Sequence, residues 1–303
     1  MFWDKLLKNR KYNLKNFRNT KNHNIFANWS PYKRGLSFHN YLIYNFIKTY
    51  PEKKILRLHK KLQNTGLGNP PGIIFKKRLI TIDDCWTLEE LIFLEKIIKK
   101  DQLILEIGAG YGRTAHAILN SFNIKKYFII DLYGNLQLAK KYLKKILSKK
   151  NFDKIIFIPF EKFNFDSSNF KAFVKDKAKL KKLNNIDLTI NIDSFGEMPP
   201  SLINKYLNFL KKVSKSFYFK NTVAKYKPRD LIHHLAKSNI PPKYNMELNF
   251  QKKIINVFDD NEISKYTKIY NKNFNPDNKK FLCKNFNSKL INFYNHAYYY
   301  LKK

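Results

Sequence analysis

The segment from Leu103 to Arg113 constrains the fold more than any other part of this 303-residue chain. It reads LILEIGAGYGR, an apolar run that ends in a glutamate and three alternating glycines. A helical pattern from Thr114 to Phe122 follows, and a second apolar run ends in Asp131. This order predicts a strand, a tight turn, a helix and a second strand. Such a unit holds nucleotide-like ligands, because the glycines let the backbone approach and the acid accepts from ribose hydroxyls.

The spacing of the glycines distinguishes two classes of cofactor. The dinucleotide fingerprint is G-x-G-x-x-G, in which helix N–H groups point at a diphosphate. Here the glycines are Gly108, Gly110 and Gly112, and Arg113 stands where the third glycine of that fingerprint would fall. With Glu106 two residues before the first glycine, the pattern resembles motif I of class I S-adenosylmethionine-dependent methyltransferases. The resemblance implies that cofactor; the alternative is a turn whose glycines serve only sterically.

The candidate cofactor site follows from this motif and from the rule that ligands lie beyond the carboxyl ends of parallel strands. We expect Asp131 to hold the ribose and Glu106 to order the turn or meet the amino group of the cofactor. Arg113 either pairs with the cofactor carboxylate or faces solvent. Glu161, after the third strand, is a candidate acceptor from adenine N6. The predicted cofactor-binding residues are Glu106, Gly108, Ala109, Gly110, Tyr111, Gly112, Arg113, Asp131, Leu132, Glu161 and Asn191.

The loop after the predicted fourth strand carries the candidate catalytic residues. It starts at Asn191, reads NIDSFGEMPP, and is unusually polar for a segment that leaves a buried strand. Asp193 and Glu197 are candidate general bases for a hydroxyl proton, although each could instead order the loop or face solvent. His233 is a further candidate with His234, because histidine titrates near neutral pH, but both fit an ordinary helix surface. We find no metal-ligand spacing and predict a metal-independent reaction.

A closer resemblance covers roughly residues 40–260. The segments NPPG…RLIT, LEIGAGYGR, NIDSFGEMP and FYFKN together resemble the bacterial sugar O-methyltransferase family. The resemblance implies a cytoplasmic enzyme that transfers a methyl group from S-adenosylmethionine to a hydroxyl of a sugar or glycan intermediate. An RNA or other anionic acceptor is one alternative, and a scaffold that binds an adenosyl ligand without catalysis is another.

The fold expected from the whole chain is a Rossmann-like, mostly parallel sheet with helices on both faces. We expect a weakly ordered basic N-terminus (1–30), a helical cap (31–100), the cofactor-binding catalytic domain (101–260) and a helical tail (261–303). The tail helix is predicted over residues 290–301. The predicted strands are residues 103–107, 127–131, 155–159, 186–192 and 217–220.

Charge and cysteine content narrow the partners and the compartment. The net charge is +36, but only seven of the 59 basic residues are arginine, and the lysines are spread along the chain. Nucleic-acid sites depend on arginine's planar fork, so nucleic acid is disfavoured as a partner and an anionic sugar substrate remains compatible. The sequence has no long apolar run and no signal-peptide core, which predicts no membrane span and a cytoplasmic protein. Cys85 and Cys283 are too far apart to predict a disulfide framework or a zinc site.

Overall fold

A computed structural model describes residues 14–19, 36–63, 65–182, 185–222, 259–274, 281–292 and 294–302. The described residues fall into two compact units. The first, here called the helical unit, draws on Met1–Lys99, Gly110–Asn123 and Gly134–Asp153. The second, the sheet unit, draws on Lys100–Ala109, Ile124–Tyr133 and Lys154–Lys303.

The helical unit contains six helices and one hairpin within the described residues. The helices are α1 Leu36–Thr49, α2 Glu52–Leu62, α3 Ile82–Leu94, α4 Arg113–Ser121, α5 Tyr133–Ile146 and α6 Lys149–Phe152. Thr81 and Asp84 begin α3 as a reciprocal cap: the Thr81 hydroxyl accepts from the Asp84 N–H at 3.1 Å. In return the Asp84 carboxylate accepts from the Thr81 N–H at 2.8 Å. A helix start at these residues is what the sequence predicts.

The predicted helical cap also contains a short antiparallel hairpin, which the sequence reasoning missed. Strands β1 (Gly72–Phe75) and β2 (Arg78–Thr81) pair with each other. Their turn places Lys76 and Lys77 at φ +48° and +62°, the left-handed region that Asn and Gly normally occupy in such turns. Without an Asn-Gly signal, the hairpin could not be recognised from turn chemistry.

The sheet unit is built on seven strands. They are β3 Leu103–Ile107, β4 Lys126–Asp131, β5 Ile155–Pro159, β6 Leu188–Ile192, β7 Ser216–Thr222, β8 Phe281–Asn287 and β9 Tyr294–Leu301. Their order is β5-β4-β3-β6-β7-β9-β8. Strands β3 to β7 are parallel to one another, and β9 runs antiparallel to both of its neighbours. All residues of β3 and β6 are buried, which explains their continuous apolar sequences.

One face of this sheet carries the main hydrophobic core of the unit. Helices α7 (Ser167–Lys177) and α8 (Pro200–Val213) contribute buried residues to it, and α9 (Asp260–Phe274) adds Ile263. From the sheet, the core takes residues such as Leu105 on β3 and Phe128 on β4. Pro199 and Pro200 mark the start of α8, where the missing N–H of proline costs no helical hydrogen bond.

The predicted Rossmann-like, mostly parallel sheet is confirmed. Two of the five predicted strands, β3 and β5, have the predicted bounds. Dinucleotide-binding sheets have the order 3-2-1-4-5-6. Counted from β3, the order here is the same except that the last strand, β9, is inserted antiparallel between β7 and the edge strand β8.

The predicted tail helix over residues 290–301 is wrong. Residues Tyr294–Leu301 form β9, which pairs with β7 on one side and β8 on the other. The run of tyrosines in β9 has high strand propensity, and its pairing partners are distant in sequence. In the part of the chain that the structure describes, no helix has the length and apolar character needed to cross a bilayer. The sequence also predicts a helix over 229–237 and strand-like runs at 246–250 and 254–258, and these three segments lie outside the described residues.

Candidate functional site

The candidate site in the sheet unit lies at the carboxyl ends of β3, β4 and β6. From β3 the chain adds β4 and β5 on one side and, later, β6 and β7 on the other. The strand order therefore reverses between β3 and β6. In open parallel sheets, this reversal opens a crevice in which ligands bind.

Gly108 is the first residue after β3, and no other residue type fits there. Its N–H donates to the carbonyl of Ile130 on β4 at 2.8 Å. Its φ is +74°, and a Cβ on this residue would lie 2.1 Å from the Oγ of Ser194. The backbone at the crevice is thus fixed to β4 on one side. On the other side it packs against the loop that follows β6, here called the β6 loop.

Asn191, on strand β6, holds the β6 loop in place through hydrogen bonds of its side chain. Its amide nitrogen donates to the carbonyl of Ile107 at 2.9 Å, and the Ser194 hydroxyl donates to the same carbonyl at 3.1 Å. The Asn191 carbonyl oxygen accepts from the side-chain amide of Asn221 at 3.2 Å. Asn191 is 0% exposed, and its predicted contact with the cofactor stays a prediction. It supports the site by positioning the loop.

Two carboxylates follow the ends of β4 and β5. Asp131 is buried, and its carboxylate accepts from the N–H of Leu132 at 2.7 Å. The Glu161 carboxylate accepts from the N–H of Tyr133 at 3.0 and 3.2 Å. Burial, together with the charge of Asp131, raises the pKa of Tyr206, so this phenol stays neutral. Because Asp131 bonds to the N–H of Leu132 and Glu161 to that of Tyr133, both predicted acids contact the short segment that follows β4.

Glu106 lies within β3 rather than in the turn. It is 2% exposed, and its carboxylate accepts from the hydroxyl of Tyr127 on β4 at 2.8 Å. This bond joins the two strands that precede Gly108 and Asp131. Of the two roles predicted for Glu106, the burial favours ordering of the backbone.

The loop after β6 carries the candidate bases. Asp193 is partly exposed, and its backbone adopts φ +59°, a region that non-glycine residues rarely occupy. Its N–H donates to the carbonyl of Lys220 on β7 at 2.9 Å. Glu197 ends a short 3-10 turn, Phe195–Glu197. His233 and His234 lie outside the described residues.

The glycine segment comprises residues 108–113, and its second half, from Gly110 onward, belongs to the helical unit. Charged side chains hold this second half in place. Arg113 makes a two-pronged pair with Glu90, at 2.9 and 3.0 Å, and also donates to the hydroxyl of Thr87 at 2.8 Å. Glu90 is 1% exposed, and the predicted contact of Arg113 with the cofactor carboxylate stays a prediction. The guanidinium is required to neutralise Glu90. Gly112 has φ +93° and begins α4.

His116 and Cys85 are buried in the helical unit and have no catalytic character. His116 bonds to the hydroxyl of Tyr142 at 3.1 Å, and burial lowers the His116 pKa to about 4. Burial also raises the pKa of the Cys85 thiol, which stays protonated. Among the described residues, no group of three or more His, Cys, Asp or Glu side chains could hold a metal ion. Metal independence stays a prediction.

Arg18 is the main residue near the glycine segment that sequence reasoning missed. It is 5% exposed and lies beside Tyr111 of the glycine segment, with its guanidinium carbon 5.6 Å from the ring centre. The surrounding sequence is polar and basic and has no sustained period, so composition gave no signal. Its role depends on contacts made across more than 40 residues of sequence.

Comparisons with known proteins find likenesses among solved structures. The magnesium protoporphyrin IX methyltransferase of Synechocystis, solved with bound SAH, is 9% identical with a TM-score of 0.41, covering 82% of this chain and 94% of that one. The methyltransferase domain of bacterial CtHen1 is 12% identical with a TM-score of 0.41, covering 70% and 95%. A candidate O-methyltransferase from Klebsiella pneumoniae is 10% identical with a TM-score of 0.43, covering 88% and 99%. No protein-family model and no curated protein matches this chain.

Proposed function

We propose that this protein is an S-adenosylmethionine-dependent O-methyltransferase that acts on a hydroxyl of a sugar or glycan intermediate. The observation that carries the proposal is the position of Gly108. It follows β3 at the reversal of strand order and is bonded to β4, which ends in Asp131. This is the place where a sheet of this kind binds an adenosyl ligand.

The side chains at the strand ends fit the polar groups of this cofactor. Asp131 and Glu161 are carboxylates, which accept hydrogen bonds from ribose hydroxyls and amino groups. The glycine spacing disfavours a dinucleotide, because Arg113, which is paired with Glu90, stands where the third glycine of the dinucleotide fingerprint would fall. When bound, S-adenosylmethionine supplies a methyl group on a positively charged sulfur. We assign Gly108, Ala109, Asp131 and Leu132 to its binding, with Gly110, Tyr111 and Gly112 as the rest of the glycine segment.

The β6 loop supplies the proposed base. A sugar hydroxyl is too weak an acid to ionise at neutral pH, so a carboxylate that accepts its proton during transfer should contribute about 10²–10⁴-fold. Asp193 is the first candidate, because it is a partly exposed carboxylate directly after β6, at the carboxyl edge of the sheet. Glu197, four residues on, is the second, and His233 remains a prediction from the sequence.

Calorimetry with S-adenosylhomocysteine tests the cofactor site. We expect the wild type to bind and Asp131→Ala to weaken binding by about 100-fold, because two charge-assisted hydrogen bonds are lost. Asp176→Ala is the matched control: this aspartate is exposed on α7 and pairs only weakly with its neighbour Lys177. Equal affinities in the wild type and Asp131→Ala would refute the assignment of Asp131.

Product analysis tests the acceptor. The protein is incubated with methyl-labelled cofactor and fractionated cell extract, and the labelled product is identified by mass spectrometry. Methyl ethers on a sugar fragment support the proposal, whereas labelled RNA or protein refutes the sugar assignment. Asp193→Asn should then reduce kcat while leaving the affinity for S-adenosylhomocysteine within about twofold, since a base acts on the acceptor and not on the cofactor.

A further inference from the structure

A short stretch near the N-terminus, residues 14–19, is packed into the helical unit. The sequence predicts weak order there, yet Phe17 is 2% and Arg18 is 5% exposed. The backbone N–H of Arg18 donates to the carbonyl of Gly68 at 2.9 Å. Gly68 is at φ +93°, and a Cβ there would lie 2.6 Å from the Phe17 ring, so this loop is shaped to receive Phe17.

The Arg18 guanidinium is surrounded by acceptors. It donates to the Asp83 carboxylate at 3.0 Å through Nε, and to the carbonyls of Thr65 and Leu67 through Nη1. A second guanidinium nitrogen lies 2.9 Å from the same Asp83 oxygen. The side chain of Arg18 is 4% exposed and that of Asp83 is 28% exposed, so the guanidinium is shielded from water while its partner is partly exposed. A buried charge that loses its partner is costly.

Tyr111 of the glycine segment bonds to the same carboxylate. Its hydroxyl donates to the Asp83 Oδ2 atom at 3.0 Å. Its ring meets Phe17 edge-to-face at 5.2 Å and Tyr142 edge-to-face at 5.1 Å. Burial raises the pKa of Tyr111, so the phenol remains a neutral donor. Asp83 thus joins Arg18 to the glycine segment, although the two are more than 90 residues apart in sequence.

We propose that Arg18 is a positioning residue for the cofactor: through Asp83 and the ring of Tyr111, it holds the glycine segment in its binding-competent conformation. The inference rests on the proposed function, because it assumes that the glycine segment binds S-adenosylmethionine. Arg18 itself touches no reacting atom. Its loss leaves Asp83 without its main cation and removes the guanidinium from the face of the Tyr111 ring.

Linkage gives this proposal a signature that a purely structural role lacks. If Arg18 docking favours cofactor binding by some factor, cofactor binding must favour Arg18 docking by the same factor. Trypsin cleaves after arginine, and the bond after Arg18 is protected only while the side chain is buried. When cleavage requires local opening, its rate follows the population of the open form.

The first arm of the test uses the unaltered full-length chain. Trypsin digestion is followed by mass spectrometry with and without saturating S-adenosylhomocysteine. We expect cleavage after Arg18 to slow by at least about fivefold, the lower end of typical couplings between sites. Cleavage after Arg57, within helix α2 of the same unit, also requires local opening and serves as the internal control; its rate should change less than twofold.

The second arm uses variants and calorimetry with S-adenosylhomocysteine. Arg18→Ala should weaken binding by about tenfold or more, and Arg18→Lys should recover part of the affinity, because it restores the charge but not the planar fork. Arg57→Ala is the matched control: Arg57 is half-exposed in the same unit and pairs with Glu95. Its affinity should stay within about twofold of the wild type.

The outcomes separate this inference from the proposed function. If the wild type does not bind S-adenosylhomocysteine, both fail. If the wild type binds and Asp131→Ala weakens binding, the proposed site stands; equal affinities in Arg18→Ala and Arg57→Ala would then overturn the role of Arg18 alone. Should Arg18→Ala fail to fold by circular dichroism, the trypsin arm decides: equal cleavage rates after Arg18 with and without ligand overturn the proposal.

Discussion

The two halves of the glycine segment are held by different kinds of interaction. Gly108 is fixed by a backbone hydrogen bond to Ile130 and by tight packing against Ser194. Tyr111 and Arg113 are fixed by buried charges instead, from Asp83 and Glu90. The first half depends on the geometry of the sheet, and the second on side chains that are distant in sequence.

This difference bears on how each half tolerates change. Close packing fails sterically, so any substitution that adds atoms at Gly108 is costly whatever its charge. A buried ion pair fails electrostatically, because removal of one partner leaves an uncompensated charge. Three measurements test these expectations.

The largest expected effect on the free energy of unfolding is that of substituting Arg113. Arg113→Met leaves Glu90, 1% exposed, without its cation, and should lower the free energy of unfolding by about 4 kcal/mol. Arg57→Met is the control, since its pair with Glu95 is partly exposed and should cost no more than about 1 kcal/mol. Urea denaturation measures both. The double variant Arg113→Met/Glu90→Leu should recover most of the loss, and no recovery would contradict the electrostatic account.

The next effect is at Gly108. Gly108→Ala places a Cβ 2.1 Å from the Ser194 hydroxyl oxygen at a φ of +74°, and should cost about 3 kcal/mol in urea denaturation. Gly66→Ala is the matched control, because the nearest atom to its Cβ would be 3.8 Å away. Removing the clash with Ser194→Gly should restore part of the stability of Gly108→Ala. A Gly108→Ala variant as stable as Gly66→Ala would show that the turn can relax.

The smallest effect is a pH dependence of the free energy of unfolding that arises from His116 in the helical unit. Burial lowers the His116 pKa to about 4, against about 6.5 in the unfolded chain. The unfolded chain therefore takes up the proton first, and stability falls as pH drops from about 6.5 towards 4. Between pH 7 and pH 5 this residue should remove about 2 kcal/mol of unfolding free energy. Over the same interval, the free energy of unfolding of His116→Asn should fall by about 2 kcal/mol less than that of the wild type. An identical pH dependence in the two proteins would refute the assignment.

The sheet could be predicted because its signals are local. The strands β3 and β6 are buried along their whole lengths, so their apolar runs stand out between helical patterns. Asp131 and Asp193 could be placed because carboxyl ends of parallel strands share one edge of a sheet.

What the sequence did not predict depends on long-range contacts. Arg18 gains its importance only from acceptors at Thr65, Leu67 and Asp83. Asn191 is polar at a strand end, and its hydrogen bonds within the loop depend on residues distant in sequence. The helix predicted over 290–301 is wrong because the partners of β9 are distant in sequence, although its tyrosines favour a strand.

The inserted position of β9 fixes an order of assembly during synthesis. β8 leaves the ribosome before β9, yet it joins the sheet only through β9. Among the strands that the structure describes, only Tyr294–Leu301 pairs with this side of β7, so that pairing must wait until these residues have emerged. A nascent chain paused before this point would expose the unpaired N–H and C=O groups of a strand edge. Exposed strand edges favour aggregation and are one reason why cells need chaperones.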